Sequence, residues 1–284
     1  MTAQILDGKK LAIQLRKIIG SDVKALKQAT GHTPGLAVIL VGDDPASELY
    51  VKHKRNDCDN VGFKSDFFHL PSNTTQRQLE DQIDILNADP TIDGILVQLP
   101  LPKQIDSSRI IDRIDPNKDV DGFHPHNIGL LTLRRPKLRP ATPKGIMQLL
   151  EQTNINFKNI NATIIGASNH VGRPMGLELL LAGATVTTAH KFTKDTRRST
   201  READLLISAV GKPGLVKSDW IKPGAIIVDV GITRDAKGLL HGDVSYDEAR
   251  EIASWITPVP GGVGPMTRVA MLQNTLMAAK KLLK

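Results

Sequence analysis

Cysteine is nearly absent: Cys58 is the single one in 284 residues. No internal disulfide can form, so a packed core must hold the fold, and a reducing compartment suits the chain. Aromatic residues are also scarce, at 4%, which leaves little stock for stacking single-stranded nucleic acid. The net charge of +7 would suit such a partner, but basic residues gather only in pairs such as Lys9-Lys10, Arg134-Arg135, Arg197-Arg198 and Lys280-Lys281. A diffuse positive field serves small polyanionic ligands equally well. No apolar run approaches the ~20 residues needed to cross a bilayer, and the first ten residues lack the basic-then-apolar order of a signal peptide. The G-x-S-x-G elbow of a serine hydrolase is missing too. These absences argue against nucleic-acid and membrane partners and place the protein in the cytoplasm.

What is present is 40% hydrophobic and 24% charged residues, over a length that allows two domains with real cores. Apolar positions at helical spacing predict a helix over 5–30. Gly35–Gly42 predicts a buried parallel strand, and Asp44-Pro45 opens a helix running to about Gly62. A strand over 64–70, a helix over 75–86 and a strand over 94–99 follow. Residues 115–141, rich in Pro, Gly and Asn, read as a long irregular connection. Alternation then resumes: a helix from Thr142-Pro143, strands at 163–165, 185–189, 205–208 and 226–230, a helix over 171–182, and a short extended piece at 255–258. A closing helix over 265–284 could pack back on the first half. The expected fold is α/β: two α/β domains with parallel sheets and a cleft between them, the C-terminal one Rossmann-like. The expected division is 1–140 plus 265–284 for one domain and 141–264 for the other.

Thr163–Gly176 has the order strand, glycine turn, helix start, which suits a pyrophosphate. Its glycines fall at 166, 172 and 176, so it departs from the strict G-x-G-x-x-G fingerprint. The next strand ends in Thr-Ala-His-Lys191 where NAD-selective sites place an acid; with Arg173 this leans toward the extra phosphate of NADP. In the earlier half, Val51, Lys54 and Cys58 share the inward stripe of a helix, with Tyr50 one turn before Lys54. A desolvated lysine can act as a base near neutrality; spacing alone equally allows Lys54 to snorkel outward beside Lys52 and Arg55. Gln98 interrupts an apolar strand near its carboxyl end, where open α/β sheets bind ligands. Asp119-Val-Asp121-Gly-Phe-His-Pro-His126 lacks the helical spacing and thiols of a metal site, so no metal is expected. Pro258–Pro265 is a glycine loop that admits close approach of a ligand or of backbone.

Several stretches together resemble the bifunctional methylenetetrahydrofolate dehydrogenase/methenyltetrahydrofolate cyclohydrolase family in its short bacterial form. They are Tyr50–Lys54, Asp93–Pro102, Pro116–Pro125, Thr142–Gly145, the 166–176 loop, Ala203–Pro213, Val228–Ile232 and Pro258–Thr267. The resemblance implies that NADP⁺ oxidises 5,10-methylenetetrahydrofolate and that water opens the methenyl product to 10-formyltetrahydrofolate, in one-carbon metabolism that serves purine biosynthesis. It implies Lys54 as the base, Gln98 as its partner, Tyr50 stacked on the folate and Asp121 on the pterin. It implies Pro260, Gly261 and Gly262 on the folate side. Gly166, Ala167, Ser168 and Ile232 would touch the cofactor, with Thr142 near the nicotinamide, and the assembly would be a homodimer. Many members carry Gly-Arg-Ser where this chain has Gly166-Ala-Ser168, and Cys where it has Ala141. The alternatives are a dehydrogenase-only member and a basic nucleotide- or RNA-binding module.

Overall fold

A computed structural model describes residues 2–282. In chain order the elements are β1 (Gln4–Ile5), α1 (Gly8–Thr30), β2 (Gly35–Val41), α2 (Pro45–Val61), β3 (Lys64–Leu70), α3 (Gln76–Ala88) and β4 (Gly94–Val97). Then come α4 (Ser107–Arg113), α5 (Pro125–Thr132), α6 (Ala141–Leu150), β5 (Asn161–Ile165), α7 (Gly172–Ala182), β6 (Thr185–Ala189) and α8 (Thr196–Arg201). The chain closes with β7 (Leu205–Ser208), β8 (Ile226–Asp229), β9 (Thr233–Arg234), β10 (Leu240–His241), α9 (Tyr246–Arg250), β11 (Trp255–Ile256) and α10 (Val263–Leu282). Two compact units result, one holding Ile13–Ala141 and the chain from Arg268, the other holding Thr142–Thr267 and the chain up to Ala12.

The first unit is built on a parallel sheet in the order β3-β2-β4. All seven residues of β2 are buried, as its unbroken apolar sequence requires of a strand covered on both faces. Its core joins Ala37, Ile39 and Val41 to Leu79 and Ile83 of α3 and to Ile95 of β4. The Asp44 carboxylate accepts the Ser47 N–H at 2.8 Å, and Pro45 occupies the first turn, so α2 starts where its capping residues dictate. The later turns of α10 belong here: buried Asn274 donates to the carbonyls of Val120 and Arg139, both at 2.8 Å.

The second unit carries a six-stranded parallel sheet in the order β1-β11-β8-β7-β5-β6. From β5 the chain adds β6 on one side, then crosses back to place β7 on the other. Such a reversal opens a crevice at the carboxyl ends of β5 and β7, where doubly wound sheets hold ligands. Ile165, Leu206, Ile227 and Ile256 lie in its core, and β9 with β10 forms a small antiparallel ribbon.

Three expectations need correction. The stretch 115–141 is not wholly irregular: the His124 ring caps α5 by accepting the His126 N–H at 3.0 Å, and Pro125 supplies the first turn. The first helix starts at Gly8, because Gln4–Ile5 pairs with Trp255–Ile256 as a strand. For the same reason the first twelve residues group with the six-stranded unit instead of the three-stranded one.

Candidate functional site

Two groups of the expected residues emerge, one in each unit. In the three-stranded unit, α2 carries Tyr50 and Lys54 one turn apart. Lys54 turns inward with the buried Val51 and Cys58, while Lys52 and Arg55 are exposed. The lysine does not snorkel: its Nζ donates to Gln98 Oε1 at 3.0 Å. Gln98 stands one residue beyond the end of β4, and its amide nitrogen donates to the Leu99 carbonyl at 2.8 Å. That second bond fixes which end of the amide faces the lysine.

Asp121 completes this group from the loop that runs beside β4 through the Ile95–Asp119 bridge. The loop is shaped by Asp119, whose carboxylate accepts the N–H groups of Gly122, Phe123 and His124 and the Asn127 amide, at 2.8–3.2 Å. Asp119 and His124 therefore organise backbone in this loop. Burial pushes the Lys54 pKa down, and the nearby Arg268 acts in the same direction, against the attraction of Asp121. Burial pushes the Asp121 pKa up, with Asp119 adding to the effect and Lys54 opposing it. Both groups are thereby driven toward their neutral forms. Tyr50 is 39% exposed. Chemically this is an amine whose proton affinity burial lowers, an amide that orients it, and a carboxyl that can hydrogen-bond a heterocycle.

In the six-stranded unit, Gly166 follows β5 with a φ of +119°, a conformation that favours glycine. A Cβ on it would lie 2.4 Å from the Ala209 carbonyl oxygen beyond β7, and one on Gly172 would lie 2.0 Å from the Gly166 oxygen. Both glycines let backbone close on backbone at the crevice. The Ser168 hydroxyl accepts the N–H groups of Val171 and Gly172 at 3.2 and 3.3 Å, shaping the start of α7. Arg173 Nε donates to the Ala167 carbonyl at 3.1 Å, tethering its guanidinium beside the loop. Lys191 lies over the exposed Phe192 ring, 4.9 Å from its centroid. A glycine turn at a helix start with a tethered cation fits a dinucleotide phosphate.

Thr142 pairs its hydroxyl with that of Thr267 at 3.0 Å. Pro260, Gly261 and Gly262 lie between β11 and α10, where the Gly261 carbonyl accepts the Lys9 N–H at 2.9 Å. Ile232 is 42% exposed on the loop after β8. These five residues belong to the unit of the glycine turn, not to that of Lys54.

Residues 6–121 match the catalytic domain of the tetrahydrofolate dehydrogenase/cyclohydrolase family, and residues 140–283 match its NAD(P)-binding domain. This chain belongs to that family. It is similar along its length to the bifunctional enzyme FolD, a methylenetetrahydrofolate dehydrogenase/cyclohydrolase from Campylobacter jejuni, at 48% identity and a TM-score of 0.96, over 98% of this chain and 99% of that one. The Trypanosoma brucei methylenetetrahydrofolate dehydrogenase-cyclohydrolase, solved with NADP cofactor and inhibitor, gives 37% identity and a TM-score of 0.96, over 100% and 99%. The bifunctional enzyme of Thermoplasma acidophilum gives 33% and 0.92, over 99% of each chain. The chain is thus a dehydrogenase/cyclohydrolase with an NAD(P)-binding domain.

Sequence reasoning missed two buried carboxylates in this family member. Asp229 accepts the N–H groups of Gly231, Asp243 and Val244 at 2.9–3.0 Å, and so props the loop that carries Ile232. Asp243 accepts the Ser208 hydroxyl and the N–H groups of Val210 and Lys212 at 2.8–2.9 Å. The signal was available: each acid lies within two residues of a glycine, in Val-Asp-Val-Gly and Gly-Asp-Val.

Proposed function

We propose that Lys54, Gln98, Asp121 and Tyr50 perform the folate chemistry of this family here, with NADP at the Gly166 turn. The substrate would be 5,10-methylenetetrahydrofolate, converted to the 5,10-methenyl form and then hydrolysed to 10-formyltetrahydrofolate. One observation carries the reading: a desolvated lysine amine, hydrogen-bonded to a neutral amide, with a carboxyl near it.

Bound NADP⁺ supplies the hydride acceptor. The protein's part in that step is placement, since positioning a donor carbon beside an acceptor can by itself account for much of a rate. Gly166, Ala167 and Ser168 would hold the dinucleotide, Ile232 and Thr142 would border it, and Arg173 with Lys191 would meet the 2′-phosphate. Tyr50 would present its ring to the folate, Asp121 would bond the pterin, and Pro260, Gly261 and Gly262 would line the folate side. In the hydrolytic step, neutral Lys54 would take the proton of the water that attacks the methenyl carbon. Gln98 offers only its carbonyl oxygen to the amine, which holds it in place without adding charge.

The 10-formyl product is a one-carbon donor of the kind purine biosynthesis consumes. A cytoplasmic location agrees with the single, buried Cys58 and with the lack, among the described residues, of a helix long and apolar enough to cross a membrane. A homodimer agrees with β3 as an edge strand of its sheet, since such an edge can pair with a second copy.

The test is an assay of the purified protein with methylenetetrahydrofolate and NADP⁺, then NAD⁺, following methenyl and formyl products separately. Turnover to both products with NADP⁺ is expected. Absence of turnover with either cofactor overturns the reading, and methenyl accumulation without hydrolysis would leave only the dehydrogenase.

A further inference from the structure

Beneath Lys54 lies an ion cluster that the chemistry above does not use. Asp57, three residues further along α2, is 4% exposed. Two guanidiniums reach it from different helices: Arg16 of α1 at 3.3 Å and Arg268 of α10 at 2.8 Å. Arg268 also donates to the backbone carbonyl of His53, the residue before Lys54, at 3.4 Å. Both arginine side chains are about four-fifths buried, at 18% and 20% exposure. One arginine would balance one carboxylate. Placing a second in a half-desolvated site leaves a net positive charge there, which burial alone disfavours.

That excess charge has a neighbour it can act on. The charged or titratable groups that act on Lys54 are Asp121 from the loop beside β4, Cys58 on its own helix and Arg268 on α10. The Cys58 thiol is pushed up to about 12 by burial, so it stays neutral at physiological pH. Asp121 favours the ammonium form of the lysine; Arg268 opposes it. On Asp57 itself the groups that act are Arg268, Arg16 and His53, all opposing the effect of burial.

We propose that Arg268, held in place by Asp57, is a positioning residue for the hydrolytic step: it anchors the turn of α2 that presents Lys54 and keeps a fixed positive charge near that amine. The proposal rests on the reading of Lys54 as the base. Asp57 is the holder and Arg16 its second partner, so losing Arg268 still leaves Asp57 paired and the helix seated. Arg268 touches neither reacting atom; it works through the lysine.

Three readouts on the full-length protein test this with Arg268→Gln and Arg268→Lys. The first is the rate of methenyltetrahydrofolate hydrolysis against pH. The second is the rate at which acetic anhydride acetylates Lys54 against pH, read by peptide mass spectrometry, which does not depend on activity. The third is the KM for NADP⁺. Arg268→Gln should move the acetylation midpoint and the acid limb of the hydrolysis profile upward by about half to one pH unit. At pH values below the midpoint, hydrolysis should fall roughly three- to tenfold with the KM for NADP⁺ unchanged. Arg268→Lys keeps the charge and should return both midpoints close to wild type. If neither midpoint moves in Arg268→Gln, the cluster is structural and the proposal is overturned; the same holds if Arg268→Lys shifts as far as Arg268→Gln. If acetylation moves and hydrolysis ignores it, the positioning of the amine stands and Lys54 as the base falls.

Discussion

The two sites draw on different parts of the polypeptide. On the proposed assignment, the working groups around Lys54 are side chains withdrawn from water: an amine and a carboxyl that burial shifts toward their neutral forms, and an amide that orients the amine. Around Gly166, on the same assignment, the binding surface would be mostly backbone, where Gly166 and Gly172 have no room for a side chain. Chemistry that moves a proton needs a group with a tuned proton affinity. Binding a dinucleotide needs room, oriented N–H groups and a cation at the edge. The two sites should therefore fail in different ways when altered.

The sharpest break in the comparison is Lys54→Met, which keeps most of the side chain's length and removes the amine proposed as the base. Hydrolysis of methenyltetrahydrofolate should drop by about 10²- to 10⁴-fold, while the Kd for NADP⁺, read by protein fluorescence, stays where it was. An equal loss of both would show that Lys54 is structural.

The reciprocal break is Gly172→Ala. Its Cβ would fall 2.0 Å from the Gly166 oxygen, so the turn must open. NADP⁺ affinity should fall by roughly tenfold or more, the scale of one lost charge-assisted contact. Hydrolysis of methenyltetrahydrofolate supplied directly should persist. Loss of that hydrolysis as well would contradict the separation.

A smaller change sharpens the nucleotide side. Arg173→Ala with Lys191→Glu should lower the ratio of kcat/KM for NADP⁺ over NAD⁺ by about tenfold, through loss of charge opposite the 2′-phosphate. An unchanged ratio rejects these two residues as its readers.

The mildest effect tests the acid beneath the Ile232 loop. Burial raises the Asp229 carboxyl to about 6, from an ordinary 3.8. Between those values the folded protein holds a proton that the unfolded chain releases, so this group makes stability fall as pH rises from about 4 to 6. Its slope is at most about 1.4 kcal/mol per pH unit. Asp229→Asn should remove that contribution, so the Tm difference between variant and wild type should change across this range. Parallel Tm curves would reject the raised value.

Much of the fold was legible because local signals agreed. The β2 run, the Asp44-Pro45 cap and the strands at 64–70, 185–189 and 205–208 each carried pattern, boundary and chemistry together. The motif-level resemblance identified the family from the sequence. The resemblance also paired Lys54 with Gln98, 44 residues away, a pairing that residue spacing by itself does not mark because α2 and the end of β4 meet only in the folded unit. What the sequence hid were pairings without a local mark. Nothing in Gln4–Ile5 announces a strand whose partner lies some 250 positions on. Asp57 reads as a surface residue of a charged helix until Arg16 and Arg268 close over it. The helix at 125–132 was concealed because its cap is a histidine, a residue type seldom looked for at that position.

The pairing of β1 with β11 also sets an order of events during synthesis. Gln4–Ile5 leaves the ribosome some 250 residues ahead of the strand it pairs with, Trp255–Ile256. The other unit is in the same position, because Asn274 closes on Val120 and Arg139 only after α10 exists. Neither unit can reach its final contacts until these later segments have been made. Each must wait incomplete until then, an interval in which unpaired strands and uncovered apolar faces are most exposed to wrong partners.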